Sequence, residues 1–183
     1  MGRDKAGLLL GGQTLLQRVI ATMQQLFPYA VVSVRQPRPE IDLPQVCDAQ
    51  SGEGMPAGGG PLAGLAAGLG CVTTPWAFVV ACDMPFVAPA MVELLAKFRS
   101  GFQAVVPIVR GHPQPLAAFY ATSCLSMMRA GLSAQDKSLR AVLKQLDVCY
   151  VDGGKLLAAD PGLRSFFDLD TPQDVAAALH GVK

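Results

Sequence analysis

The segment Trp76-Ala77-Phe78-Val79-Val80-Ala81-Cys82-Asp83-Met84-Pro85 decides how this chain is read. A short apolar run, β-branched and aromatic, leads directly to one carboxylate and is cut off by a proline. Such a run reads as a buried parallel strand with Asp83 at its carboxyl end. In open α/β sheets that end is where ligands bind. A carboxylate there is costly to bury unless a cation or hydrogen bonds satisfy it, which makes a divalent metal a natural partner. The plainer reading is that Asp83 caps the helix after Pro85 or bonds loop amides. The two readings weigh equally until the rest of the chain is considered.

Working outward, Leu15, Leu16, Val19, Ile20, Met23, Leu26 and Phe27 recur at helical spacing, and Pro28 stops that helix. Tyr29 to Val34 reads as a strand. Pro37, Pro39 and Pro44 mark a loop before a short strand at Gln45 to Cys47. Ser51 to Gly60 is rich in glycine and small residues and reads as a mobile loop. Pro61 opens a helix over Leu62 to Leu69, and another follows Pro89, from Ala90 to Phe98. Ala104 to Val109 and Leu116 to Tyr120 form two strands joined by Arg110-Gly111-His112-Pro113. Helices at Cys124 to Ala130 and Leu139 to Leu146 precede a strand at Val148 to Val151. Thr171 caps the last helix, with Pro172 at its first position and Asp174 in its first turn. Strands alternating with helices, with no repeat or linker, predict one α/β domain built on a mainly parallel sheet.

The 183 residues suit a single domain with a proper core; 51% are hydrophobic and 16% charged, as in a globular protein. A formal charge of +1 gives no reason to expect a nucleic acid or membrane surface as partner. No apolar run approaches a membrane span, and no signal peptide is recognisable. Cys47, Cys71, Cys82, Cys124 and Cys149 are scattered without a C-x-x-C pair. This argues against a zinc site and fits buried, reduced thiols in a cytosolic protein. His112 and His180 are the only histidines, too little material for a histidine-based zinc or general-base site.

Four segments carry the chemistry: Gly2-Arg3-Asp4-Lys5, Gly60-Pro61-Leu62-Ala63-Gly64, the Asp83 turn, and Phe167-Asp168-Leu169-Asp170-Thr171-Pro172. Lys5 sits beside glycine in a loop, a suitable place for a cation that grips phosphate, though a solvated terminal lysine is the commoner case. Asp168 and Asp170 flank Leu169, so in an extended segment both carboxylates point the same way and repel unless a cation lies between them. Capping of the final helix by Asp170 or Thr171 accounts for one of these residues without any ligand.

Together these segments resemble the molybdenum cofactor guanylyltransferases and their nucleotidyltransferase relatives, almost from Met1 to the final helix. Met1-Gly2-Arg3-Asp4-Lys5 fits the last five positions of the family pattern L-A-G-G-x-S-x-R-M-G-x-D-K. Gly60 to Leu65 looks like the G-P-L-A-G-L hallmark of the guanylyltransferases, and Cys82-Asp83-Met84-Pro85 resembles the metal-binding turn. His112-Pro113-Gln114-Pro115-Leu116 is similar to the lead-in to a strand that these enzymes carry. The resemblance implies a three-layer Rossmann-like nucleotidyltransferase fold and a Mg²⁺-dependent transfer of GMP from GTP to molybdopterin or its molybdenum form. It assigns Lys5 and Asp83 to catalysis, and Asp83 and Asp170 to the metal. Lys5, Asp48, Gly60, Pro61, Leu62, Gly64, Asp83, Asp168 and Asp170 would contact the nucleotide or the acceptor. It implies GTP, molybdopterin and cofactor-carrier or acceptor enzymes as partners.

The chain departs from the pattern in two places. It begins where the family's glycine-rich phosphate loop ends, so the first strand is missing. The expectation is an internal methionine read as the start, or a trimmed chain, and hence a single domain over 1–183 that is N-terminally short. A true loss of that loop would leave a catalytically silent nucleotide-binding protein. The guanylyltransferases often carry N-x-N-T-P where this chain has Asp168-Leu169-Asp170-Thr171-Pro172. The acidic version also resembles the cytidylyltransferase branch acting on the same cofactor, so GTP and CTP both stay open.

Overall fold

A short hairpin, β1 (Leu9–Leu10) paired with β2 (Gln13–Thr14), runs straight into helix α1 (Leu15–Leu26). Its tight turn needs Gly11 and Gly12, at φ of 59° and 82°, a region other residues rarely enter. The computed structural model describes residues 5–47, 60–169, 171, 173, 174 and 178. The Ser51 to Gly59 stretch, Asp48, Asp170, Pro172 and His180 lie outside the described residues. Thr14 caps α1: its hydroxyl accepts from the Gln17 amide at 3.1 Å, and the Gln17 side chain accepts from the Thr14 amide at 2.9 Å. This reciprocal arrangement satisfies two of the donors a helix start leaves free. Leu15, Leu16, Val19 and Met23 are the buried positions, on the face their spacing selected, and the helix ends before Pro28.

Strands β3 (Val32–Val34) and β4 (Gln45–Cys47) form a parallel pair of their own. The strand expected from Tyr29 pairs only from Val32, because β4 is preceded by Pro44, which has no amide to extend the ladder. The proline-rich loop between them is fastened by Gln45. Its side chain accepts from the Arg38 amide at 2.8 Å and donates to the Arg38 and Ile41 carbonyls at 2.8 and 3.2 Å.

Helix α2 (Gly60–Leu69) leads to β5 (Trp76–Val80), and α3 (Pro89–Ala96) follows the Asp83 turn with Pro89 at its first position. Then come β6 (Ala104–Val109), β7 (His112–Pro113) and β8 (Ala117–Ala121). The β6–β7 turn puts Arg110 and Gly111 at φ of 51° and 78°, the left-handed pair that a two-residue hairpin demands. His112 and Pro113, expected within the connection, already pair with Val109 and Ile108. Helices α4 (Leu125–Ser133) and α5 (Leu139–Leu143) and strand β9 (Val148–Asp152) complete the order.

The main sheet runs β5–β8–β6–β9, with β7 extending the β8 side of β6. β6 and β9 are parallel, and β5 points the same way, as an α/β sheet requires. β8, however, is inserted antiparallel between β5 and β6. The sheet is therefore mixed rather than mainly parallel. The reason is local: β6 returns through a tight hairpin instead of a helical crossover, and a short return forces antiparallel pairing. The expectation of a buried parallel β5 is corrected in the same way. β5 pairs antiparallel with β8, and all five of its residues are half-buried.

Alternation along the strands divides the interior into two layers. Ala104, Val106, Ala118 and Tyr120 face α2, α4 and α5, together with Leu62, Leu69, Met128 and Val142. Val105, Val109, Ala117 and Phe119 face α1 and α3, against Val19, Met23, Met91 and Leu95. The result is helices on both faces of one sheet, the three-layer arrangement expected. Burial pushes the Tyr120 hydroxyl up, so it stays protonated and donates to the Pro115 carbonyl at 2.8 Å. Burial likewise pushes the Cys124 thiol up, and that thiol donates to the Gln103 carbonyl at 3.2 Å. Among the described residues no helix is long and apolar enough to cross a membrane.

Helix α4 packs closely at Gly131, where an added Cβ would run into a Val142 methyl and lie 3.2 Å from Leu62. Gly131→Ala should therefore destabilise the fold by about 1–3 kcal/mol through overpacking, despite the better helix propensity of alanine. The midpoint of urea unfolding measures this, and an unchanged midpoint would show that α4 and α5 can part without cost.

Candidate active site

Where β5 ends, the Ala81 amide still bonds the Leu116 carbonyl at 2.9 Å, and the Met84 amide then turns back to the Ala81 carbonyl at 3.3 Å. That reversal leaves the Asp83 carboxylate at the rim with only 18% of its side chain exposed. Opposite it stands Lys5, in the single helical turn Lys5–Gly7, with its Nζ donating to Asp83 Oδ2 at 3.5 Å. The cation that a half-buried carboxylate calls for is thus supplied by the chain itself.

A third segment is held against this pair. The Leu169 amide donates to the Asp83 main-chain carbonyl at 2.9 Å. Its side chain is buried with Leu10 and Leu15, and Leu8, Phe86 and Ala178 pack against them. This small apolar cluster gathers the beginning of the described chain, the Asp83 turn and the approach to the final helix. Asp168, exposed, precedes Leu169. Thr171 is confirmed as the cap: its hydroxyl accepts from the Asp174 amide at 3.1 Å and donates to the Asp174 carboxylate at 2.7 Å. Asp174 therefore serves the helix start.

The structure brings together Lys5, Asp83 and the Asp168–Leu169 peptide, three of the segments singled out in the sequence. Gly60, Pro61, Leu62 and Gly64 form the first turns of α2, and none is hydrogen-bonded to Lys5 or Asp83 among the described residues. Leu62 is 1% exposed, and its side chain packs in the core. Asp48 and Asp170 lie outside the described residues. Leu169 is the residue the sequence reading passed over. An apolar side chain between two acids at a rim is its only signal.

Among the described residues no group of three or more His, Cys, Asp or Glu could hold a metal by itself. Asp83 nevertheless suits a hard cation that takes one or two carboxylates and completes its shell with substrate phosphates and water. Ala6 and Gly7, which follow Lys5, help to line a cavity of about 380 Å³ with Thr14, Gln17, Arg38 and Asp42, and neither Lys5 nor Asp83 lines it.

Helices on both faces of a mixed sheet make this a three-layer α/β fold, and its likeness to known proteins makes it the nucleotidyltransferase one. The chain belongs to the family of the MobA-like NTP transferase domain, whose family model matches residues 1–149. It is 35% identical to a probable molybdenum cofactor guanylyltransferase of Chloroflexus aggregans, over 95% of this chain and 85% of that protein. It is 27% identical to a molybdenum cofactor guanylyltransferase of Desulfosudis oleivorans, over 100% of this chain and 89% of that protein. Among solved structures it resembles molybdopterin-guanine dinucleotide biosynthesis protein A of Archaeoglobus fulgidus, with a TM-score of 0.80 and 27% identity, covering 98% of this chain and 90% of that one. The 2-C-methyl-D-erythritol 4-phosphate cytidylyltransferase of Thermus thermophilus shares the fold, with a TM-score of 0.66 at 20% identity, over 96% of this chain and 92% of that one.

Leu169→Ala should cost about 2–5 kcal/mol, the range for emptying a buried leucine site. Chemical denaturation measures this. A loss below the cost of an exposed substitution would show that the apolar cluster does not hold the three segments together.

Proposed function

We propose that this protein transfers a guanylyl group from GTP to the terminal phosphate of molybdopterin, or of its molybdenum form, releasing pyrophosphate. The observation that carries the reading is the Lys5–Asp83 pair at the end of β5, in a chain whose relatives bear guanylyltransferase names. An acceptor phosphate oxygen attacks the α-phosphorus of GTP, and the bond from that phosphorus to the α,β-bridging oxygen breaks. The bridging oxygen leaves with the electron pair as part of pyrophosphate. Negative charge shifts onto phosphoryl oxygens throughout, so the protein's task is placement and electrostatic stabilisation, without a covalent intermediate.

Lys5 neutralises the triphosphate, since its ammonium already lies beside the rim carboxylate. Asp83, with Asp170, would hold Mg²⁺, which supplies positive charge to the phosphates when bound. Asp168 stands on the acceptor side. Asp48 contacts the nucleoside, and the main chain of Gly60 to Gly64, opening α2, lets ribose and base approach closely. Cofactor-carrier or acceptor enzymes take the product, in the cytoplasm. A cytidylyltransferase activity on the same acceptor is the second reading, favoured by the acidic Asp168-Leu169-Asp170.

Pyrophosphate release with GTP, CTP or ATP, with Mg²⁺ and with or without molybdopterin, separates these readings. Release that needs both GTP and acceptor is expected. Preference for CTP would move the protein to the sister activity, and no turnover with any nucleotide would reject both. Asp83→Asn should lower the Mg²⁺-dependent rate on the order of 10²-fold, about 2.7 kcal/mol of barrier. Unchanged activity in that variant would remove Asp83 from its role.

A further inference from the structure

The Asp83 turn is gripped from outside by one segment, and the grip begins at a buried acid that the proposed reaction does not use. Asp160 is 4% exposed, with no lysine or arginine side chain paired to it among the described residues. Its two oxygens accept from main-chain amides instead: Oδ1 from Arg164 at 3.1 Å and Oδ2 from Ser165 at 2.9 Å. A buried carboxylate needs such donors, and here each donor belongs to a residue whose side chain reaches the Asp83 turn. The Ser165 hydroxyl, fully buried, accepts from the Ala88 amide at 2.9 Å. Ala88 precedes α3 and has no side chain able to cap it, so this hydroxyl supplies the missing acceptor contact at the helix start. The Arg164 guanidinium lies over the Phe86 ring, 4.9 Å from its centroid. Further on, the Leu169 amide bonds the Asp83 carbonyl.

The turn is therefore held at residues 83, 86 and 88 by residues 169, 164 and 165. Achieving this requires a tight reversal inside Pro161–Phe166, with Gly162 at φ 78° and Leu163 at φ 53°, ψ 40°. Leucine adopts that left-handed conformation only at a cost, which a surrounding structure must over-determine. Asp160 provides that surrounding structure, because its carboxylate captures the two amides that follow the reversal.

We infer that Asp160 is a positioning residue for nucleotidyl transfer: by fixing the main chain of Arg164 and Ser165 it orients the Asp83 turn, and so the carboxylate that receives the metal–nucleotide. This rests on the reading of Asp83 given above. Two variants test it from different ends. Asp160→Asn keeps the volume but turns one acceptor into a donor facing an amide, and Ser165→Ala removes only the clasp on Ala88. Asp152→Asn is the control, since Asp152 also caps a turn, accepting from the Gly154 amide at 2.8 Å, without touching the Asp83 turn.

Amide hydrogen exchange in the nucleotide-free protein should quicken about tenfold at Ala88 in both test variants, and also at Leu169 in Asp160→Asn. The Mg²⁺ concentration giving half-maximal pyrophosphate release should rise about tenfold, with kcat restored at saturating Mg²⁺. Asp152→Asn should change neither. Unaltered exchange in both test variants would overturn the clamp. Faster exchange with an unmoved Mg²⁺ dependence, or an equal shift in the control, would reduce Asp160 to a structural cap. A wild-type chain that turns over no nucleotide would instead sink the reading of Asp83 itself, and the positioning role with it.

Discussion

The hydrogen bond from the Leu169 amide to the Asp83 carbonyl joins two segments far apart in the chain, and the arrangement of the rim depends on it. A main-chain hydrogen bond contributes about 1 kcal/mol net, whereas burying a leucine contributes about 1.5–3 kcal/mol. The attachment is thus driven mainly by the Leu169 side chain entering the pocket made by Leu10 and Leu15. The hydrogen bond adds direction. It fixes which part of the Asp83 turn meets the incoming segment, and therefore which way the turn faces Lys5.

The sheet beneath sets the level at which this happens. Phe119 of β8 stands opposite Phe78 on one side and Val105 on the other, so β5 and β6 are held in a single register by one strand between them. Phe27 reinforces the same point, stacking on Phe78 at 6.2 Å and meeting Phe119 edge-on at 6.4 Å. Because β5 and β6 run in the same direction, their carboxyl ends open at the same edge of the sheet. The antiparallel β8 does not spoil this, since it begins beside the Asp83 turn with the Leu116 carbonyl holding Ala81.

Much of this order could be read from the sequence where one local rule acted alone. The apolar spacing of Leu15 to Met23 and the stop at Pro28 gave α1, and Thr171 with Asp174 gave a helix start that the structure reproduces. Ala104 to Val109 was found to the residue. What could not be read was decided by partners elsewhere. The run at Trp76 to Val80 carries no mark of its neighbour's direction, so the antiparallel pairing with β8 was hidden, as was its half-exposure. The burial of Leu62 against α4 and α5 was hidden too, because a leucine reads identically at a surface and in a core. At the site, Lys5 and Asp83 were legible as a lysine near glycine and an acid after a strand. Leu169 was not, because its importance comes from a pocket assembled by residues near the other end of the chain.

The 3.5 Å contact between Lys5 and Asp83 also shapes how a charged ligand can enter. With only 18% of its side chain exposed, the Asp83 carboxylate has little water to fall back on once the ammonium is drawn away. An anion that engaged Lys5 would therefore have to bring a replacement positive charge to the acid, a condition that a bare anion does not meet.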